Sequence, residues 1–317
     1  MFTCINIFKK PSMISPSPSP SSIPVISPSS TLNPSVSPST SSNVSKINEN
    51  LWINLSPINL TKIKLYPFPQ EKYYHNEYPK TQIVLHHTVS GMSIDGDIQT
   101  WINGKYNVGV AIIIDREGTP WQLFSSKYWA YHLGTGDHSL DKHSIGIEID
   151  NWGGLILGDG TNKQFGKNED GSPRLIYTAT GKYYTVYGNS VNLSPQDIQY
   201  YPEKYRGYNY FEKYTNAQIR TVGELILFWR NKYNIPLYYN PSIFNFSEEA
   251  VGGKPGLWSH TSYRKDKSDI HPQPEMIEML KTVCTDEMPV SYKFKKKWFK
   301  FGRRKGHDVE ETGNFIW

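Results

Sequence analysis

The chain has 317 residues, a net charge of +5 and only two cysteines, Cys4 and Cys284. That length holds one large domain with extensions or two small ones, and two cysteines exclude both a disulfide framework and a cysteine-rich zinc site. No run approaches the roughly 20 apolar residues that a membrane-spanning helix needs.

The short apolar run at Met1–Lys10 is followed, not preceded, by its lysines, which makes it a poor signal peptide. Residues 11 to about 45 are dominated by Ser and Pro, a composition too poor in apolar surface to offset its ordering entropy. Residues 1–50 are expected to be a disordered tether, with a folded domain over 51–285 and a tail over 286–317.

Regular patterning begins at Thr81. Thr81–His87 reads as a strand whose apolar core, Ile83–Val84–Leu85, ends in two histidines. Side chains alternate along a strand, so His86 and His87 should face opposite ways. Ile94, Ile98, Trp101 and Ile102 recur at helical spacing up to Asn103–Gly104. Val108–Asp115 predicts a second strand and Trp121–Phe124 a third, joined by a turn needing positive φ at Gly118. Ser144–Asp150 predicts a fourth, with Ile145, Ile147 and Ile149 on one face and Ser144, Gly146, Glu148 and Asp150 on the other.

Residues 151–214 carry many Gly, Asn and Tyr without a sustained period and read as a long insertion, with a hairpin near Tyr183–Tyr187. Thr215-x-x-Gln218 is a capping box that opens a helix with the buried stripe Ile219, Val222, Leu225, Ile226 and Trp229. Pro274 starts another helix, to Val283. Between these two helices, Ser259–Pro272 reads as a polar loop. The fold class is α/β, a central mixed sheet flanked by helices.

Each polar candidate has a plain alternative. A histidine at a strand end is commonly a hydrogen-bonded structural residue, Glu148 fits the solvated face of an antiparallel sheet, and the His260–Asp269 loop fits ordinary surface. Together they supply the parts of a catalytic zinc site: a strand-end His, a His and an Asp on a later loop, and a Glu on a neighbouring strand. Such sites take three protein ligands and leave a fourth position open.

Ile83–Thr88 (IVLHHT), Ile112–Gly118, Trp129–Gly134 (WAYHLG), Ser144–Asp150 (SIGIEID) and His260–Pro274, in this order, resemble the zinc-dependent N-acetylmuramoyl-L-alanine amidases. That family includes phage endolysins and peptidoglycan recognition proteins. The resemblance covers about residues 80–285, with 151–214 outside it. It implies His86, His260 and Asp269 as ligands of Zn2+, Glu148 as general acid/base and Lys267 as stabiliser of the developing oxyanion. It implies His132 and Trp129 as groove residues that contact substrate, packing under a loop being the alternative. Two departures stand out: Val110 occupies the place of a tyrosine found in some relatives, and Asp269–Ile270–His271–Pro272 replaces their Asp-Pro-Gly-Pro.

The implied reaction is hydrolysis of the amide between N-acetylmuramic acid and L-alanine, in peptidoglycan or soluble muropeptides, at the cell wall by an export route the sequence does not display. A non-catalytic peptidoglycan-binding module and a wall- or virion-attachment protein are the other readings. The insertion's tyrosines suit either a glycan groove or a self-packed lobe. Lys293–Lys305, with eight Lys/Arg interleaved with aromatics, suits an anionic wall polymer, a membrane surface or plain solvation; nucleic acid is not expected, because no recognition fold accompanies it.

Overall fold

The computed structural model describes residues 52–286, apart from positions 53, 92 and 169. The Ser/Pro tether and the basic tail both lie outside the described residues.

The chain runs through β1 (Lys64–Leu65), β2 (Gln82–His87), α1 (Ile94–Asn103), β3 (Ile112–Ile114), β4 (Pro120–Gln122), α2 (His138–His143) and β5 (Ser144–Ile149). It then forms β6 (Gly154–Leu157), β7 (Thr161–Lys167), β8 (Pro173–Thr178), β9 (Tyr183–Thr185), β10 (Ser190–Val191), β11 (Ile198–Tyr205) and β12 (Tyr208–Glu212). It returns through α3 (Asn216–Tyr233), α4 (Glu248–Val251), β13 (Gly256–Ser259), α5 (His260–Tyr263) and α6 (Pro274–Val283).

The central sheet has the order β1-β4-β3-β5-β2-β13. β5 pairs in parallel with β2 and β3, β13 in parallel with β2, and β4 antiparallel with β3, so the sheet is mixed as expected. Every residue of β2 and β5 is buried, because both faces of the sheet are covered. On one face Ile145, Ile147 and Ile149 meet the apolar stripe of α3 and Met276, Met279 and Leu280 of α6. The other face carries a smaller cluster, Val84, Leu133, Leu140, Trp258 and Tyr263, which floors the site described below.

Local signals set the helix ends. Thr215 caps α3 through the Gln218 capping box, and Asn234 closes it in the left-handed conformation. Gly118 has φ +82°, and a Cβ there would stand 2.6 Å from the backbone of Ala217. Two expectations need correcting. The strand expected over Val108–Asp115 is confined to β3, because Gly109 donates instead to the carbonyl of Tyr131. The loop expected from Ser259 begins with the end of β13 and a helical turn, α5, both too short to leave a period in the sequence. The insertion carries the hairpin expected near Tyr183–Tyr187 as β9–β10; β6 and β9–β12 make a five-stranded antiparallel sheet, and β7–β8 make a separate hairpin.

Candidate metal centre

His86 is the penultimate residue of β2, on the face that carries Val84, and β13 lies beside β2 in the register Trp258↔Val84. The chain leaving β13 therefore brings His260 to the same face. Asp269 follows on a loop whose carbonyl accepts from Thr261 N (2.8 Å) and Thr261 Oγ1 (2.6 Å), tying it to the start of α5. His86, His260 and Asp269 converge as a buried trio of potential metal ligands. His86 Nδ1 lies 3.0 Å from His260 Nδ1, His260 Nδ1 lies 3.0 Å from Asp269 Oδ2, and His86 Nδ1 lies 3.4 Å from Asp269 Oδ2.

These residues fit a metal. A tetrahedral ion with bonds of about 2.0–2.1 Å needs donor atoms roughly 3.3 Å apart, close to the three separations here. Proton placement points the same way. His260 Nε2 lies 2.9 Å from the carbonyl of Leu133, which can only accept, so Nε2 carries the hydrogen. Neutral His260 then turns the bare Nδ1 lone pair toward a carboxylate oxygen and a second imidazole nitrogen. Acceptors facing one another in a buried site call for a cation between them.

Electrostatics favour a neutral His86 and an ionised Asp269. Burial drives His86 down to about 4, against the pull of Asp269. Burial works against the Asp269 carboxylate, but the neighbouring imidazoles outweigh it and hold the group well below its usual range. Glu148 pairs in register with His86 on the adjacent strand and is buried, which rules out the solvated-face alternative. Burial, reinforced by Asp269 and Asp97 and opposed by Lys267, pushes Glu148 well above the usual carboxylate range. Lys267 is half-buried two residues before Asp269, and its charge is felt at His86, His87 and Glu148.

His132 sits behind His86, with Nδ1 3.0 Å from His86 Nε2 and Nε2 2.8 Å from Ser144 Oγ. Trp129 is buried and stacked on Tyr74 with ring centroids 4.1 Å apart. Trp129 has the placement of a packing group and His132 that of a hydrogen-bonded one. Val110 is buried near His132, and its side chain has no polar atom to bring to the site. His87 faces away, as alternation requires, with Nδ1 2.8 Å from Tyr214 Oη. His271 is buried: its ring stacks between Phe211 and Tyr214, Nε2 donates to the carbonyl of Glu212 (3.0 Å), and Nδ1 accepts from Tyr201 Oη (2.9 Å).

Sequence reasoning missed the Leu133 carbonyl and its support. Asp141 accepts from the backbone N–H groups of His132 (2.9 Å) and Leu133 (3.0 Å), fixing the turn that aims this carbonyl at His260. A backbone acceptor has no signature in sequence; only the buried Asp141 eight residues on hints at it.

A family model described as N-acetylmuramoyl-L-alanine amidase matches residues 76–274, more than half of the chain and all three residues of the trio. The chain belongs to this amidase family. Its reaction is hydrolysis of the amide between N-acetylmuramic acid and L-alanine of peptidoglycan. Solved structures similar to the amidase include PlyL, at 14% identity over 65% of this chain and 84% of that one with a TM-score of 0.35. The amidase LysC from Clostridium intestinale URNW has 14% identity, 68% and 94% coverage and a TM-score of 0.34. A selenomethionine derivative of AmpD has 12% identity, 70% and 96% coverage and a TM-score of 0.35. No curated protein matches the sequence.

Proposed function

We propose that this amidase holds one zinc ion at His86 Nδ1, His260 Nδ1 and Asp269 Oδ2 and uses Glu148 as its general acid/base. The observation that carries the reading is the convergence of these three atoms at 3.0–3.4 Å, with the His260 hydrogen committed to the far side of its ring. Bound zinc supplies Lewis acidity, polarising an amide carbonyl and letting water lose a proton near neutral pH. Glu148 then accepts the proton of the attacking water and delivers it to the departing L-alanine nitrogen; a carboxyl raised by burial suits both halves of that transfer. In this reading Lys267 stabilises the developing oxyanion, help worth about 3 kcal/mol per donor in comparable sites.

The substrate is intact wall or a soluble muropeptide encountered at the cell wall, outside the membrane. The boundaries 1–50, 51–285 and 286–317 serve as tether, catalytic domain and tail in this reading. The basic aromatic segment Lys293–Lys305 supports attachment to an anionic wall polymer or membrane surface.

Two substitutions separate metal binding from proton transfer. Asp269→Asn is expected to lose both zinc and turnover. Glu148→Gln is expected to keep one zinc per chain and lose roughly 10²- to 10⁴-fold in kcat. Metal content measured beside turnover checks both, and an active Glu148→Gln enzyme would sink the mechanism.

A further inference from the structure

We propose that Ser144 and His132 are positioning residues that lock His86 in the tautomer able to ligate metal. The inference rests on His86 being a ligand, as proposed above. It follows from hydrogen placement along one chain of contacts.

The carbonyl of Leu140, in α2, can only accept, and Ser144 Oγ lies 2.7 Å from it; the next neighbour, the carbonyl of Asp141 at 3.4 Å, is also an acceptor. The single hydroxyl proton of Ser144 is thus directed into α2. Ser144 Oγ then has only lone pairs to offer His132 Nε2 at 2.8 Å, so Nε2 must carry hydrogen. Neutral His132 has a bare Nδ1, and it lies 3.0 Å from His86 Nε2, which must in turn be protonated. Neutral His86 is left with a bare Nδ1, the atom that faces His260 and Asp269. Every hydrogen along Leu140, Ser144, His132 and His86 points away from the trio.

The backbone is shaped to admit this chain. A Cβ on Gly146 would stand 2.6 Å from Val110 Cγ1 and 3.2 Å from His132 Nδ1, so the glycine of the β5 motif leaves the space that the His132 ring occupies. Ser144 opens the same strand, placing the anchor two residues before Gly146 and four before Glu148. Both ring nitrogens of His132 are thus engaged inside the protein.

The experiment uses the full chain, wild type against Ser144→Ala, His132→Phe and His132→Gln. Zinc affinity is read by competition with a chelator, and the tautomer of His86 by ¹⁵N NMR of the metal-free protein. His132→Phe removes the acceptor and is expected to weaken zinc binding about 10- to 100-fold, the usual effect of removing a ligand's hydrogen-bond partner. His132→Gln, whose amide oxygen accepts from His86 Nε2, is expected to recover part of that loss. Ser144→Ala, a small deletion that keeps the rings, is expected to turn a single Nε2-protonated His86 signal into a mixture of tautomers. A wild type that takes up no zinc overturns the ligand reading and the lock with it. Zinc bound equally well by wild type, Ser144→Ala and His132→Phe, with an unchanged His86 signal, overturns the lock alone.

Discussion

His86 and His87 are neighbours in sequence, yet alternation along β2 sends one to the metal trio and the other into the packing around Tyr214 and Gly153. Both are buried neutral, and burial holds each down to about 4. An unfolded histidine titrates near 6.5, so between about pH 4 and 6.5 the unfolded chain binds more protons than the folded one. Stability is therefore complete above this window and is lost as pH falls through it, at up to about 1.4 kcal/mol per pH unit for each such histidine. The metal-free protein is expected to show a melting temperature that drops steadily from pH 7 to pH 5. A constant melting temperature over that range would contradict the neutral burial. At this scale the sequence made the candidate ligands legible, because His86, His260 and Asp269 sit in recognisable motifs. It did not display the partners of those ligands: the Leu133 carbonyl is backbone, and the bond from His132 to His86 spans 46 residues.

The elements with strong local signals stand where the sequence placed them: β2 and β5 by their apolar runs, α3 by its capping box, α6 by Pro274 at its first turn. The insertion was legible only in the hairpin near Tyr183–Tyr187, as β9–β10; β6 joins β9 and β12 across many residues, which leaves no local signal. Its sheet is coupled to the metal loop. Tyr205 Oη, at the end of β11, lies 2.9 Å from the carbonyls of both Phe244 and Ile270, Tyr201 Oη donates to His271, and Arg206 donates to the carbonyl of Lys265. The insertion thus braces the segment that presents Asp269. Removing the Tyr205 hydroxyl takes this donor from the Ile270 carbonyl, while Phe244 keeps Arg206, at a cost of about 1–3 kcal/mol. For a domain of this size each kcal/mol lowers the melting temperature by about 2–4 °C. Tyr205→Phe is expected to show that drop in a thermal melt, whereas Tyr200→Phe, at a half-exposed ring, is expected to melt with wild type. Equal melting of the two variants would remove the brace.

At the scale of the whole molecule, a mixed sheet covered on both faces holds the trio at the C-terminal ends of β2 and β13, with Glu148 on the neighbouring strand β5. Crevices at the carboxyl ends of parallel strands are where α/β sheets present their chemistry. Tether and tail flank this unit in sequence, so catalysis is expected to belong to the domain and attachment to the flanks. The central claim is a metal-dependent amidase, and digestion of purified sacculi by the zinc-loaded and the chelated protein tests it most directly, with products read by mass spectrometry and by labelling of new termini. The account predicts free L-alanine amines that appear only with metal and that Asp269→Asn abolishes. New reducing sugar ends, or binding to sacculi with no new ends of either kind, would contradict it.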